Sequence, residues 1–186
     1  MLLPGEDLHV TSETEASSAV LDHARGFGGA VIASLTDGDS VHEVAVTAMV
    51  SQSEDGEISL RGVSRCRLLA LFADAVPMVR AQRLPDPPDE RARAERLARL
   101  LLARYTRLCQ TLGRPFTSPV GRQGLTSLTW RVTADIGLTA EKRQGFLNVP
   151  DALTRGKLLL VAVRDIERRE RFLRPWAHLR PGSPWN

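Results

Sequence analysis

The chain has 186 residues, enough for one large domain or two small lobes to bury a core without disulfides or metals. Hydrophobic residues make up 42% of it and charged residues 25%, the balance of a globular protein, which excludes a disordered or fibrous chain. The net charge is only +3, from 25 basic and 22 acidic residues, and the longest apolar stretch, Leu158 to Val163, is far too short to span a bilayer.

Met1 to Val10 has no basic region followed by an apolar run, so no secretory signal is expected and the expected location is the cytoplasm, with no membrane partner. Thr14 to His23, with Ala16, Ala19 and Val20 on one side, predicts a short helix ended by the glycines at 26, 28 and 29. Strand signals follow. Ala30 to Leu35 is an apolar run closed by the turn cluster Thr36-Asp37-Gly38-Asp39. Val41 to Val50 keeps Val44, Val46, Ala48 and Val50 on one face. Ser53 to Gly56 predicts a hairpin turn, and the return strand runs from Glu57 to Phe72, with Gly62 marking a bulge or sharp bend. Pro77 to Leu84 predicts a last strand, stopped by Pro85-Asp86-Pro87-Pro88.

Beyond that cluster the period becomes helical. Asp89 is the expected N-cap of a helix with Leu97, Leu100, Leu101, Tyr105, Leu108 and Leu112 on its apolar side and Gly113 as its stop. After a loop to Gly121, Leu125, Leu128, Val132 and Ile136 predict a second helix ending near Gly137. Thr139 caps a short third helix to about Leu147. A last helix runs from Pro150-Asp151 to about Phe172, with Leu159, Ala162, Ile166 and Leu173 as its expected buried stripe. The tail carries Trp176 and Trp185, large apolar groups expected to dock onto the body.

Residues able to do chemistry are sparse. No glycine-rich loop precedes either lysine, Lys142 or Lys157, and Gly26, Gly28 and Gly29 lead into a strand where a phosphate cradle would lead into a helix. Ser17, Ser18, Asp22 and His23 share one short helix, too close together to converge on a carbonyl. The histidines, His9, His23, His42 and His178, have no paired metal spacing, and Cys66 and Cys109 are expected to be buried reduced thiols. No cofactor, metal site or catalytic residue is therefore expected. The conspicuous feature is Arg61-Gly62-Val63-Ser64-Arg65-Cys66-Arg67. In a regular strand Arg61, Arg65 and Arg67 share one face, and a bulge at Gly62 moves Arg61 to the other. The face is either a basic rim for a peptide carboxylate or phosphate, or a solvated surface paired with Glu and Asp. The arginines of the chain as a whole are scattered among acidic residues, which argues against a nucleic-acid stripe.

Several of these segments, taken in order, resemble the N-terminal substrate-binding domain of Lon proteases. They are Leu2-Leu3-Pro4-Gly5-Glu6, the strand from His42 to Val50 with its acidic-Gly turn, the return strand Ile58 to Leu68, Leu84-Pro85-Asp86, and Thr139 to Gln144. Cys66 stands where that family has an aromatic residue between two arginines, and residues 9–15 depart from its opening segment. The resemblance implies an α+β protein, a PUA-like β pseudobarrel over residues 1–86 followed by a small helical bundle lobe over 87–174 and a Pro/Trp tail over 175–186. It implies a non-catalytic module that recognises unfolded or tagged polypeptide, with a protease or a chaperone among the expected partners. Such a module is expected to have an exposed apolar groove between the lobes, with Arg61, Arg65 and Arg67, the candidate binding residues, at its rim. The alternative is a small-ligand or RNA-binding PUA-like module. No aromatic residue sits among the 61–67 arginines to stack on a base, which favours polypeptide. Pure protein incubated with ATP or with unfolded casein is expected to show no turnover above buffer; turnover that survives repurification contradicts the reading.

Overall fold

The computed structural model describes residues 1–10, 15–26, 28–38, 40–52, 58–72, 76–88, 90–116 and 124–179. Its first half holds strand β1 (Asp7–Val10), helix α1 (Glu15–Gly26) and strands β2 (Ala30–Ala33), β3 (Thr36–Asp37), β4 (Ser40–Val41), β5 (Val44–Gln52), β6 (Ile58–Phe72) and β7 (Met78–Arg83). The second half holds helices α2 (Arg91–Leu112), α3 (Leu125–Asp135), α4 (Ala140–Asn148) and α5 (Ala152–Leu173), then a 3-10 segment, Arg174–Leu179. β3 pairs with β4 in a small two-stranded sheet of its own, so Thr36 and Asp37 of the expected turn cluster are strand residues. The Ser53–Gly56 turn and Asp89 lie outside the described residues; α2 is capped at Glu90 and stops at Gly113, whose φ is +64°.

The class is α+β, as expected, but among the described residues the sheet is open and not closed into a barrel. Its order is β1-β6-β5-β2, with β7 also on β6, and every pairing is antiparallel. The long β6 organises it. One edge of β6 carries β5; the other carries β1 opposite residues 58–61 and β7 opposite residues 66–72. β1 has no counterpart among the sequence expectations. Its side chains are mostly exposed, so no apolar alternation announces it, and the backbone ladder to β6 alone defines it.

The chain divides into two compact units, one of Met1–Pro88 with Trp130–Asp151, the other of Asp89–Thr129 with Ala152–Asn186. This corrects the expected division: residues 130–151 belong with the sheet and not with the helical lobe. The reason is burial. The core of the sheet unit joins Leu2, Leu3, Val46 and Ala48 to Trp130 of α3 and Leu147 of α4. Each leucine or valine among them taken fully out of water contributes about 1.5–3 kcal/mol.

Gly62 governs how the N-terminus reaches that core. The Gly62 N–H donates to the Glu6 carbonyl at 2.9 Å, and the Gly62 carbonyl accepts from the Gly5 N–H at 2.8 Å. A Cβ at position 62 would lie 2.1 Å from the Leu3 carbonyl oxygen. The sequence reading of a bulge is also realised one residue on: Thr47 faces Ser64 and Ala48 faces Gly62, leaving Val63 without a partner.

In the helical unit, α2 contributes Leu101, Tyr105, Leu108 and Cys109 to the interior, while the expected core residue Leu100 is 49% exposed. On α5 the buried stripe runs through Ala152, Arg155, Gly156, Leu159, Val163 and Glu167. It is turned slightly from the expected face, with Val163 buried in place of Ala162 and with Arg155 and Glu167 inside. The Arg155 Nε donates to the Thr129 hydroxyl at 2.9 Å, which keeps that buried charge hydrogen-bonded. Trp176 is 54% exposed, against the expectation that it docks, and Trp185 lies outside the described residues. No described helix is long and apolar enough to cross a membrane.

The close approach at Gly62 generates a stability prediction. Gly62→Ala places a methyl against the Leu3 backbone and is expected to lower the unfolding free energy by about 1–3 kcal/mol. Urea denaturation measures it; an unchanged midpoint means that Leu2 and Leu3 do not cross β6 there.

Candidate functional site

The β6 arginines do not form one rim. Across β5, Arg67 pairs with Val44 and Arg65 with Val46, whereas Arg61 pairs with Met49. The unpaired Val63 shifts the alternation, so Arg61 faces the opposite side of the sheet from Arg65 and Arg67. Arg61 and Arg67 are exposed, while Arg65 is buried.

Arg65 is buried, and its guanidinium is engaged within the fold. Its Nη1 donates to the carbonyls of Leu147 at 3.2 Å and Val149 at 2.6 Å. Its Nη2 donates to the Pro150 carbonyl at 2.8 Å and to Asp86 Oδ1 at 2.5 Å. The guanidinium also lies 5.7 Å from the centroid of the Trp130 ring. The carbonyls at the end of α4 are among those that a helix leaves without internal partners, and a cation is favoured there. A planar fork with several donors answers them together, which a lysine ammonium does not do. Asp86, read from sequence as part of a proline stop and of a segment that carries the resemblance, supplies the countercharge. Nothing local distinguishes it from any loop carboxylate.

Other residues of the recognised segments do similar work. The Glu6 carboxylate accepts from the Leu3 N–H at 2.9 Å and from Arg143 Nη2 of α4. Gln144 Nε2 donates to the Val44 carbonyl at 2.8 Å and to Asn148 Oδ1 at 3.0 Å. Cys66, on the opposite face of β6 from Arg65, is buried, and burial pushes its thiol pKa up, leaving it a neutral filler. The second thiol, Cys109, is also buried and free. Asp22 accepts from Arg25 at 2.9 Å. Among the described residues no three His, Cys, Asp or Glu side chains gather as a metal site needs.

A cluster of exposed apolar side chains lies farther along β6. Leu68 faces Ala81 and Ala70 faces Arg80, so Leu69 is a second bulge residue. Beyond it Leu71 faces Val79, and Phe72 faces Met78. Leu69, Leu71, Phe72 and Met78 are 51%, 62%, 52% and 44% exposed. Leu71 and Phe72 point to opposite faces, so both faces of this ribbon carry exposed apolar side chains. Phe72 and Met78 share their face with the exposed Arg67 and Arg80. β7 lies at the edge, pairing among the described residues with β6. The signal in the sequence is Leu68-Leu69-Ala70-Leu71-Phe72, an unbroken apolar run where a one-sided strand would alternate.

Removing the Arg65 guanidinium takes four donated hydrogen bonds from Asp86 and from the carbonyls of Leu147, Val149 and Pro150. Arg65→Ala is expected to lower the unfolding free energy by about 3–5 kcal/mol, and Arg65→Lys to recover only part of that loss. Arg67→Ala, at the surface, is expected to stay within about 0.5 kcal/mol of the parent. Denaturant curves that overlay for all of them contradict the assignment.

No family model matches the sequence, and no curated protein matches it. Solved structures do. One is the N-terminal domain of the Lon protease of the Mycobacterium avium complex, with a TM-score of 0.65 at 19% identity over 89% of this chain and 93% of that one. Another is a Lon N-terminal domain protein from Xanthomonas campestris, with a TM-score of 0.62 at 19% identity over 86% of this chain and 91% of that one. With the Arg65 clamp, the Gly62 crossing and the open antiparallel sheet as its frame, the chain has the fold of the Lon protease N-terminal domain.

Proposed function

We propose that the protein is a non-catalytic polypeptide-recognition module of the cytoplasm, and that the β6–β7 ribbon makes the contact. The observation that carries this reading is the cluster of Leu69, Leu71, Phe72 and Met78, each more than two-fifths exposed, on one two-stranded ribbon. Water-exposed apolar side chains gathered in this way mark a surface that another molecule covers. Aromatic and methionine side chains are the ones enriched at protein interfaces, and methionine adapts to varied partners. The edge of β7 also offers backbone groups to an extended segment, so an incoming chain could add a strand there while its side chains meet Phe72 and Met78. Arg67 and Arg80, beside those two residues, supply a minor attraction for carboxylates that salt screens. Arg65 is not part of this surface.

Ordering a flexible chain opposes binding, so a labelled unfolded apolar peptide is expected to bind with a dissociation constant on the order of micromolar. Its affinity is expected to change little with salt. Leu71→Ser with Phe72→Ser is expected to weaken it by about tenfold or more, since two buried contacts are lost. The readout is fluorescence anisotropy, with a thermal melt to show that the variant is folded. Binding of single-stranded RNA in place of peptide, falling steeply with salt, overturns the reading, as does unchanged peptide affinity in the folded double variant.

A further inference from the structure

The helical unit carries a different kind of surface. Between α2 and α5 lies a concavity of about 290 Å³ lined by Arg104, Arg107, Arg164, Arg168, Arg171 and Glu167. Glu167 is buried and already accepts from Arg171, so the single carboxylate in the concavity is taken. Arg104, Arg107, Arg164 and Arg168 have no carboxylate or carbonyl partner for their guanidinium groups among the described residues. Like charges brought together without counterions repel one another, and an anion arriving there relieves that repulsion.

A second concavity, of about 260 Å³, continues the first and shares Arg104 and Arg164 with it. It adds Leu100, Leu160 and Val161, with Lys157 at its far side. Leu100 and Val161 are 49% and 58% exposed. On α5 the contributing positions are 157, 160, 161, 164, 167, 168 and 171, the spacing of one helical face. From 157 to 171 that face extends about 21 Å. It is thus a groove, basic along one end and apolar along the other.

We infer that the α2–α5 groove docks an acidic peptide segment that also carries apolar anchors. Guanidinium forks match carboxylates in bidentate geometry, and Leu100, Leu160 and Val161 give side chains between those carboxylates a dry place to rest. No aromatic residue lines either concavity, so a nucleic-acid base finds nothing to stack on. The groove lies wholly within the helical unit and stands apart from the β6–β7 reading: each surface has its own variants and its own probe.

The test uses the full chain and a labelled amphipathic peptide of about 14 residues, the length that spans the groove as a helix, with Glu and Leu on one face. Its controls are the same peptide with Gln for every Glu and a single-stranded RNA. The Glu peptide is expected to bind, with affinity falling as salt rises. The Gln peptide is expected to bind at least about tenfold more weakly, because the charge pairs are gone. Arg164→Glu with Arg168→Glu is expected to abolish binding of the Glu peptide, and Val161→Ser to weaken it severalfold. Because these side chains are exposed, thermal melts are expected to match the parent; Arg164→Gln with Arg168→Gln serves if charge reversal disturbs folding. The ribbon variant Leu71→Ser with Phe72→Ser is expected to leave this binding unchanged. Equal affinity for the Glu and Gln peptides, insensitivity to the arginine variants, or tighter binding of the RNA than of the Glu peptide each overturns the inference.

Discussion

Arg65 sits midway along the longest strand, yet its hydrogen bonds end on residues 147, 149 and 150, as many as 85 positions away. A buried guanidinium is a large electrostatic liability unless every donor finds an acceptor. Here the acceptors are the carbonyls that close α4 and the carboxylate of Asp86, so one side chain satisfies the end of a helix and ties strand β6 to the loop after β7. Two otherwise unfavourable features, an arginine out of water and a helix end without partners, compensate each other. That exchange adds to the burial of Trp130 and Leu147 in holding residues 130–151 with the sheet.

The N-terminal segment answers a second constraint. Leu2 and Leu3 can enter the core only if the chain passes over β6 at backbone distance, and Gly62 permits it because no Cβ occupies the space. Glu6 then holds the crossing from the far side, taking the Leu3 N–H and the Arg143 guanidinium together. The motifs by which the sequence resembles Lon N-terminal domains, the opening Leu-Pro-Gly-Glu, the Arg-Gly strand and the Arg-Gln helix, are thus joints of one frame. They hold segments remote in sequence and leave little free to meet a ligand.

What remains available for recognition lies away from the frame and differs in chemistry between the two units. The sheet unit exposes apolar groups on a two-stranded ribbon; the helical unit exposes arginines along a helix pair. Burial of apolar surface is indifferent to sequence and to salt, whereas paired charges select partners and weaken with ionic strength.

Local periodicity and breakers determined most of the elements: strands β2, β5, β6 and β7 though not the short β3 and β4, the stop of α2 at Gly113, and α5, which runs from Ala152 to Leu173 where the pattern places it from about 150 to 172. The shift of Arg61 to the other face was legible too, as the consequence of a bulge beside Gly62. Strand β1 was not, because its pairing is made by backbone groups that every sequence carries. Nor could the sequence tell Arg65 from Arg61 or Arg67, since three arginines on one strand look alike until their surroundings are known. The same applies to Asp86, to the unit that claims residues 130–151, and to the arginines that α2 and α5 bring together. Secondary structure is set by neighbours a few residues away and can be read along the chain. Burial, charge pairing and exposure depend on residues tens of positions distant, and only the folded backbone brings these together.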